Sequence, residues 1–383
     1  MRCLHLLSEW KWTGPAEPVV SLCEALRAGG LEVTLAFRRA PADFRERTVA
    51  KEAARRGLAS YDGFRLNRYF SPRDWLSDLR NLGPFAQTHG IDIIHTHLTH
   101  DHSVAAASLL GRRARPLLVR TDHKRDGLER GLGMRLLLSR TDGLVAYGRK
   151  MLEHDREAFA YPEERCAVLP PGVHVYNGPA PDLRASLGIG AKEKVIGVIG
   201  RLKPDRGYET VLRAFKSLRT RMDGVKLVIV GRSSQIEESI RRPMAALGLE
   251  KDVLLAGYRL DDYFSMIATF DLFVMMRAGS DGTARALREV MAMGKAAIVS
   301  DRGMLPELVR DGVSGYVVTD EGALAARMEQ VLSDDVLRER LGAAAQKTAL
   351  EEWDYAVQAG RLVEFYERLM ALGRRGPGRG RAR

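Results

Sequence analysis

Short apolar runs rich in β-branched residues recur along the chain, and each is followed by a stretch with helical periodicity. That alternation is the strongest constraint on the fold, because parallel strands need a crossover of a dozen or more residues between them. Strand runs fall at 2–7, 31–37, 91–95, 116–120 and 143–147, with a short one at 168–169. Helical stretches fall at 19–28, 102–110 and 128–140. A segment rich in Pro and Gly then covers 170–191, the composition of a linker. A second series follows, with strands at 195–199, 225–230, 253–256, 272–275, 296–300 and 315–318. Its helices are expected at 208–218, 235–247, 263–268, 284–293, beyond Glu321, and over 353–370.

The fold class read from this is α/β, with two tandem doubly wound (Rossmann-like) domains facing a central cleft. The first domain is expected over 1–170, the linker over 171–191 and the second domain over 192–352. The helix 353–370 could cross back to the first domain. Residues 371–383, a Gly-, Pro- and Arg-rich stretch, are expected to be a disordered basic tail. No apolar run reaches the ~18 residues a membrane span needs. Cys3, Cys23 and Cys166 are scattered and odd in number, so no disulfide framework or Cys-rich zinc site follows. The early Glu9 argues against a secretory signal, and a cytoplasmic setting is the default expectation. The formal charge of +11 suits an anionic substrate and leaves a peripheral contact with anionic membrane open. No nucleic-acid-binding signature accompanies that charge, so no nucleic-acid partner is expected.

Two stretches carry the chemistry. Gly200-Arg201-Leu202-Lys203-Pro204-Asp205-Arg206-Gly207 follows a strand and opens a helix. Arg201 and Arg206 can place two guanidinium groups at a positive helix end, which suits a diphosphate; a solvated basic loop is the other reading. Gly279-Ser280-Asp281-Gly282-Thr283-Ala284 also follows a strand and leads into a helix that carries Glu289. Its small residues let a ligand approach backbone N–H groups. Asp281 could equally be an N-cap and Glu289 a surface residue.

In that order these residues resemble retaining glycosyltransferase family 4, also called glycosyltransferase group 1, of the GT-B fold. The family has a Gly-Arg turn with a basic residue five positions on, usually lysine, where this chain has Arg206. It also has two acids eight positions apart, matched by Asp281, where glutamate is usual, and Glu289. Weaker matches are Thr13-Gly14-Pro15-Ala16-Glu17 and Leu169-Pro170-Pro171-Gly172-Val173-His174. The resemblance implies a nucleotide-diphosphate-sugar donor, a glycan or lipid-linked acceptor, and no metal or other cofactor. Arg201 and Arg206 would neutralise the leaving diphosphate. Glu289 would accept from the ribose, and Asp281, Gly282, Thr283 and Ala284 would hold the donor sugar. Gly14 would let the first loop approach the phosphates or acceptor. His123 would orient sugar or acceptor. Catalytic roles thus fall to His123, Asp281, Arg201 and Arg206. His97, Trp12 and Lys124 would lie on the acceptor side. Synthesis of bacterial surface polysaccharide or lipopolysaccharide is the expected setting.

Two other readings stay open. The histidines of Ile94-His95-Thr96-His97-Leu98-Thr99-His100-Asp101-His102 could bind a metal, as in a metal-dependent hydrolase. The basic tail could serve a non-catalytic polyanion-binding protein. Trp10 and Trp12 could stack on a sugar or simply pack.

Overall fold

The computed structural model describes residues 1–12, 14–44, 47–69, 71–112, 114–124, 127–278 and 284–374. It divides into two units: Met1–Gly172 with Tyr355–Arg383, and Val173–Asp354. Both are parallel α/β sheets.

The first unit has seven strands: β1 (Arg2–Leu7), β2 (Glu32–Phe37), β3 (Ala59–Tyr61), β4 (Ile93–Thr96), β5 (Leu117–Asp122), β6 (Gly143–Ala146) and β7 (Cys166–Val168). Their order is β3-β2-β1-β4-β5-β6-β7, all parallel. The order reverses between β1 and β4, the switch point at which doubly wound sheets bind ligands. In register, His5 lies beside His95. The second unit has β8 (Lys194–Ile199), β9 (Val225–Val230), β10 (Val253–Gly257), β11 (Leu272–Met275), β12 (Ala296–Ser300) and β13 (Tyr316–Val318). Its order β10-β9-β8-β11-β12-β13 repeats the same winding, with the switch point between β8 and β11.

Each sheet is buried on both faces, as crossover helices require. In the helix Tyr208–Arg219, Val211, Leu212, Phe215 and Leu218 recur at helical spacing and close one core. That helix starts at Gly207, whose φ of +76° is left-handed and whose added Cβ would stand 2.7 Å from the Met276 side chain. Only glycine fits there.

The sequence expectations differ from the structure in several places. The stretch 235–247 is not one α-helix: a π turn, Glu237–Arg241, precedes the short helix Arg242–Ala246. Pro243 lacks an N–H and crowds the preceding turn, which widens it. The helices Val49–Arg55, Pro72–Thr88 and Arg149–Phe159 and the strand β3 were not anticipated. Arg149–Phe159 turns only Met151, Leu152, Asp155 and Phe159 inward, too few apolar positions to show a period. The stretch 171–191, read as a linker, has contacts that its composition does not show. From Leu183 onward it is fixed to the second unit, where the Leu183 N–H donates to Thr269 Oγ1 and Arg184 pairs with Asp271 at 2.6 Å. Composition alone cannot show such ties. The last helix, Tyr355–Leu372, belongs to the first unit, where Leu362, Phe365, Tyr366 and Leu369 join the core beside the helix Ala16–Ala28. Among the described residues no helix is long and apolar enough to cross a membrane.

Candidate active site

In the second unit the candidate residues gather at the carboxyl ends of the strands around the switch point. The turn after β8 carries Arg201, which is exposed and has no side-chain partner among the described residues. Its carbonyl accepts from Tyr208 Oη at 3.1 Å, so the turn is held while the guanidinium is not. Arg206, at the other end of the turn, is half-buried. Its Nη1 donates to the Ala278 carbonyl, which ties the turn to the chain leaving β11. Arg206 Nε is buried without a hydrogen bond, 3.6 Å from Asp205 Oδ1. A buried donor left over in this way suits a ligand oxygen.

Neighbouring turns lie very close. Gly231, at φ +153°, brings the chain after β9 so near β8 that a Cβ would meet the Gly200 carbonyl oxygen at 1.9 Å. The Gly231 N–H donates to the Gly257 carbonyl at 2.8 Å, binding a third turn to the rim. Beyond it, Tyr258 is 54% exposed, with the Arg232 guanidinium 4.4 Å from its ring centroid.

Glu289 lies in the helix Arg285–Ala292 and is buried, against the surface reading of its position. Its Oε2 accepts from Tyr263 Oη at 2.6 Å and its Oε1 from Arg285 Nε at 2.7 Å. A carboxylate has about four acceptor positions, so it can still take a ligand hydroxyl. Burial beside that carboxylate raises the Tyr263 hydroxyl well above its ordinary pKa, so it stays a donor. Tyr263 had no signal in the sequence; its contact with Glu289 joins residues 26 positions apart. Ala284 caps the helix in a left-handed conformation, φ +43°, a strained state for alanine of the kind that clusters at ligand sites. Asp281, Gly282 and Thr283 lie outside the described residues.

The first unit's rim is built differently. His123, just after β5, is buried, and both its ring nitrogens are bonded: Nε2 to His97 Nδ1 at 3.0 Å and Nδ1 to Tyr147 Oη at 2.8 Å. The contacts continue inward. His97 Nε2 meets His5 Nδ1 at 3.0 Å, and Tyr366 Oη lies 3.5 Å from His5 Nε2 and 2.5 Å from His95 Nδ1. His95 Nε2 ends the series on Thr121 Oγ1 at 2.6 Å. Burial pushes His5 and His123 down to about 3 and His95 and His97 well below the ordinary range, so all four are neutral at neutral pH.

The run 95–102 does not converge on one point. His100 is half-buried, and His102 Nε2 bonds Thr141 Oγ1 at 2.8 Å. Instead His5 joins His95 and His97, with one nitrogen of each within 4.8 Å of the others. These three fit a metal poorly. His5 and His97 point nitrogens at each other as donor and acceptor, and both nitrogens of His95 are engaged. A metal would have to break those bonds and turn lone pairs toward one point. His5 carried no functional signal alone, yet strands β1 and β4 are neighbours in the 3-2-1-4 order of a Rossmann-type sheet, and that adjacency could have linked His5 to His95.

The loops above this rim are tied by carboxylates. Asp101 accepts from the Ser8 N–H at 3.2 Å and the Leu98 N–H at 2.7 Å, joining the turns after β1 and β4. Burial raises Asp101 to about 7 and Asp122 to about 6, with the buried Arg120 opposing both shifts. Gly14 lies in the turn before the helix Ala16–Ala28. Trp12 packs half-buried on the core, with the Arg47 and Arg56 guanidiniums 4.9 and 5.6 Å from its ring centroid. Trp10 meets Phe44 edge-on. Lys124 pairs with Glu129 at 2.5 Å.

Comparison with known proteins points one way. Residues 180–348 match the family described as glycosyl transferases group 1, and residues 13–176 match glycosyltransferase family 4. A GDP-mannose-dependent alpha-(1-6)-phosphatidylinositol monomannoside mannosyltransferase of Mycolicibacterium smegmatis is 31% identical over 51% of this chain; the alignment covers only 55% of that relative. A phosphatidyl-myo-inositol mannosyltransferase of Mycobacterium leprae is 28% identical over 94% of each chain. The crystal structure of a glycosyltransferase from Rickettsia africae superposes with a TM-score of 0.81 at 15% identity, over 97% of this chain and 99% of that one.

Proposed function

From the premise that the chain belongs to the group 1, family 4 glycosyltransferases of GT-B fold, we propose that it moves a sugar from a nucleotide-diphosphate donor to a glycan or lipid-linked acceptor with retention of configuration. The observation that carries this reading is the pair Arg201 and Arg206 at the switch point of the second sheet. Among the described residues one guanidinium is exposed without a partner, and the other keeps a buried N–H unbonded. Two such cations suit a diphosphate, whose charge grows as the sugar departs.

In the proposed reaction the acceptor hydroxyl attacks the anomeric carbon on the face from which the diphosphate leaves. The leaving phosphate takes the hydroxyl proton, and the products are the glycoside and the nucleoside diphosphate. No enzyme nucleophile and no metal enters this scheme. Glu289 would take the ribose hydroxyls and Tyr258 would lie under the base. Asp281, Gly282, Thr283 and Ala284 would hold the sugar, and His123 would orient sugar or acceptor. Gly14, His97 and Lys124 would face the acceptor, whereas Trp12, expected on that side, is packed on the core and would hold its loop. The phosphatidylinositol mannosyltransferases among the relatives favour a lipid-linked acceptor, consumed at the cytoplasmic face of a membrane that the basic residues would contact.

A thermal-shift panel of UDP, GDP, ADP and CMP and their sugars, with and without EDTA, tests this. At about 100 times its dissociation constant a ligand stabilises by ~2.7 kcal/mol, a shift of several degrees. One nucleoside diphosphate should give such a shift, unchanged by EDTA. No nucleotide shift, with a fall in melting temperature on EDTA, would move the reading to the His5–His95–His97 group.

A further inference from the structure

We propose that His5, His95, His97 and His123 share a single proton order, all protonated on Nε2 or all on Nδ1, and that His5 and Tyr366 are positioning residues that set the tautomer of His123.

The argument is one of counting donors. A neutral imidazole has one N–H and one lone pair, and a hydroxyl has one O–H. The bonds run Tyr147–His123–His97–His5–Tyr366–His95–Thr121, with one contact at each ring nitrogen. If Tyr147 donates to His123 Nδ1, then His123 must donate through Nε2 to His97 Nδ1. The same step repeats through His5, Tyr366 and His95 and ends on Thr121. Every histidine then carries its proton on Nε2. Reversing the order starts at Thr121 and places every proton on Nδ1. Any mixed state sets two N–H groups or two lone pairs face to face, or lets His5 and His95 both donate to Tyr366 and leaves the Tyr366 O–H without an acceptor, in a buried site where none of them can turn to water. Protonating a ring would also break the order, and burial keeps all four neutral.

The two ends of the series meet again. Thr121 and Tyr147 line one small, mostly apolar pocket of the first unit, together with His97, Leu169 and Tyr355. In the Nε2 order Tyr147 donates to His123, and in the Nδ1 order it accepts from His123. The core histidines thus set the direction of the Tyr147–His123 bond beside that pocket. Tyr366, 361 residues from His5 in sequence, is the link that makes the series continuous.

The test is long-range ¹H–¹⁵N correlation spectroscopy of the full chain at pH 7, which reads each histidine's tautomer. Single His→Gln variants assign the nine histidines. The wild type should show one tautomer shared by these four. Thr121→Val removes the acceptor at one end, so His95 must turn a lone pair toward the valine, and all four should adopt Nδ1–H. Tyr147→Phe removes the other end and should drive all four to Nε2–H. In Tyr366→Phe the link is cut, and Thr121→Val should no longer reach His123. Different tautomers within the wild-type four would overturn the proposal, and so would end variants that leave His123 unmoved. The functional consequence rests on the role of His123 in orienting sugar or acceptor, as proposed above. Tyr366→Phe should lower kcat about fivefold, the effect of one lost hydrogen bond, with donor KM unchanged. A His123 tautomer that responds while kcat does not would count against that role of His123 and leave the shared order standing.

Discussion

The two sheets are wound identically, yet their switch points hold opposite chemistry. At β8 and β11 the rim is cationic and open, with Arg201 exposed and Arg206 keeping a buried N–H in reserve. At β1 and β4 the rim is closed and neutral, three imidazoles bonded in series, with Tyr147 at one end and Tyr366 joining a fourth at the other. The same topology therefore does not fix the ligand; the residues placed at the strand ends do. A charged group that changes during reaction calls for the first kind of rim. A ligand of many hydroxyls, chosen by orientation, calls for the second.

The sharpest way to break this contrast is to neutralise the cationic rim. Arg201→Ala and Arg206→Ala should each lower kcat/KM in a transfer assay by about 10²- to 10³-fold, the usual loss for one donor aimed at developing charge. Arg201→Ala should leave the melting temperature unchanged, because that side chain has no partner to lose among the described residues. Arg206→Lys should recover much of the activity that alanine loses. Glu289→Ala should cost about tenfold or more in kcat/KM, and about 1–3 kcal/mol of stability besides, since Tyr263 and Arg285 lose their acceptor. Full activity in the arginine variants would remove the diphosphate from this rim.

A second prediction sharpens the neutral rim. The folded pKa values of His5 and His123 lie far below those of the unfolded chain, so the unfolded state binds more protons between about pH 6.5 and 3. Stability held at pH 7 is lost as pH falls through that window, each such imidazole adding up to a tenfold change in the folding equilibrium per pH unit. Asp101 and Asp122, raised to about 7 and about 6, act in the opposite sense: burying their charge destabilises the fold as pH rises. The histidines prevail, because burial lowers His95, His97, His100 and His102 as well, against Asp78 and Asp155 raised on the other side. Melting temperature should therefore fall steeply below pH 6, and His5→Leu should fall less steeply than wild type. Equal slopes would mean that His5 is not held neutral.

Sequence pattern showed the alternation and most strands; β9, β11 and β12 have the expected bounds residue for residue. Their apolar β-branched runs are bounded by polar or glycine turns, so pattern and structure agree. The donor-side residues were legible because Arg201, Arg206 and Glu289 stand at fixed offsets from a turn and a helix start. The histidine series was not legible. Its bonds join residues 26, 92 and 271 positions apart, and tertiary proximity of that kind leaves no local period. The same holds for Tyr263, which gives Glu289 its orientation. Sequence spacing finds groups that one loop presents and misses groups that several strands assemble.

The smallest predicted effect compares one aromatic from each rim. Trp12 and Tyr258 both have an arginine over the ring, but Trp12 is packed on the core and Tyr258 is more than half exposed. Stacking of a cation on an exposed ring is worth about 0.5–1 kcal/mol, and burial of the indole adds apolar area. Trp12→Phe should therefore lower the melting temperature by a few degrees, with acceptor KM changed less than about twofold. Tyr258→Ala should leave melting unchanged and raise donor KM a few-fold, because it removes a surface on which a base can stack. If Trp12→Phe instead raised acceptor KM without changing stability, the indole would be a ligand surface despite its packing, and the closed rim would be more open than its buried histidines suggest.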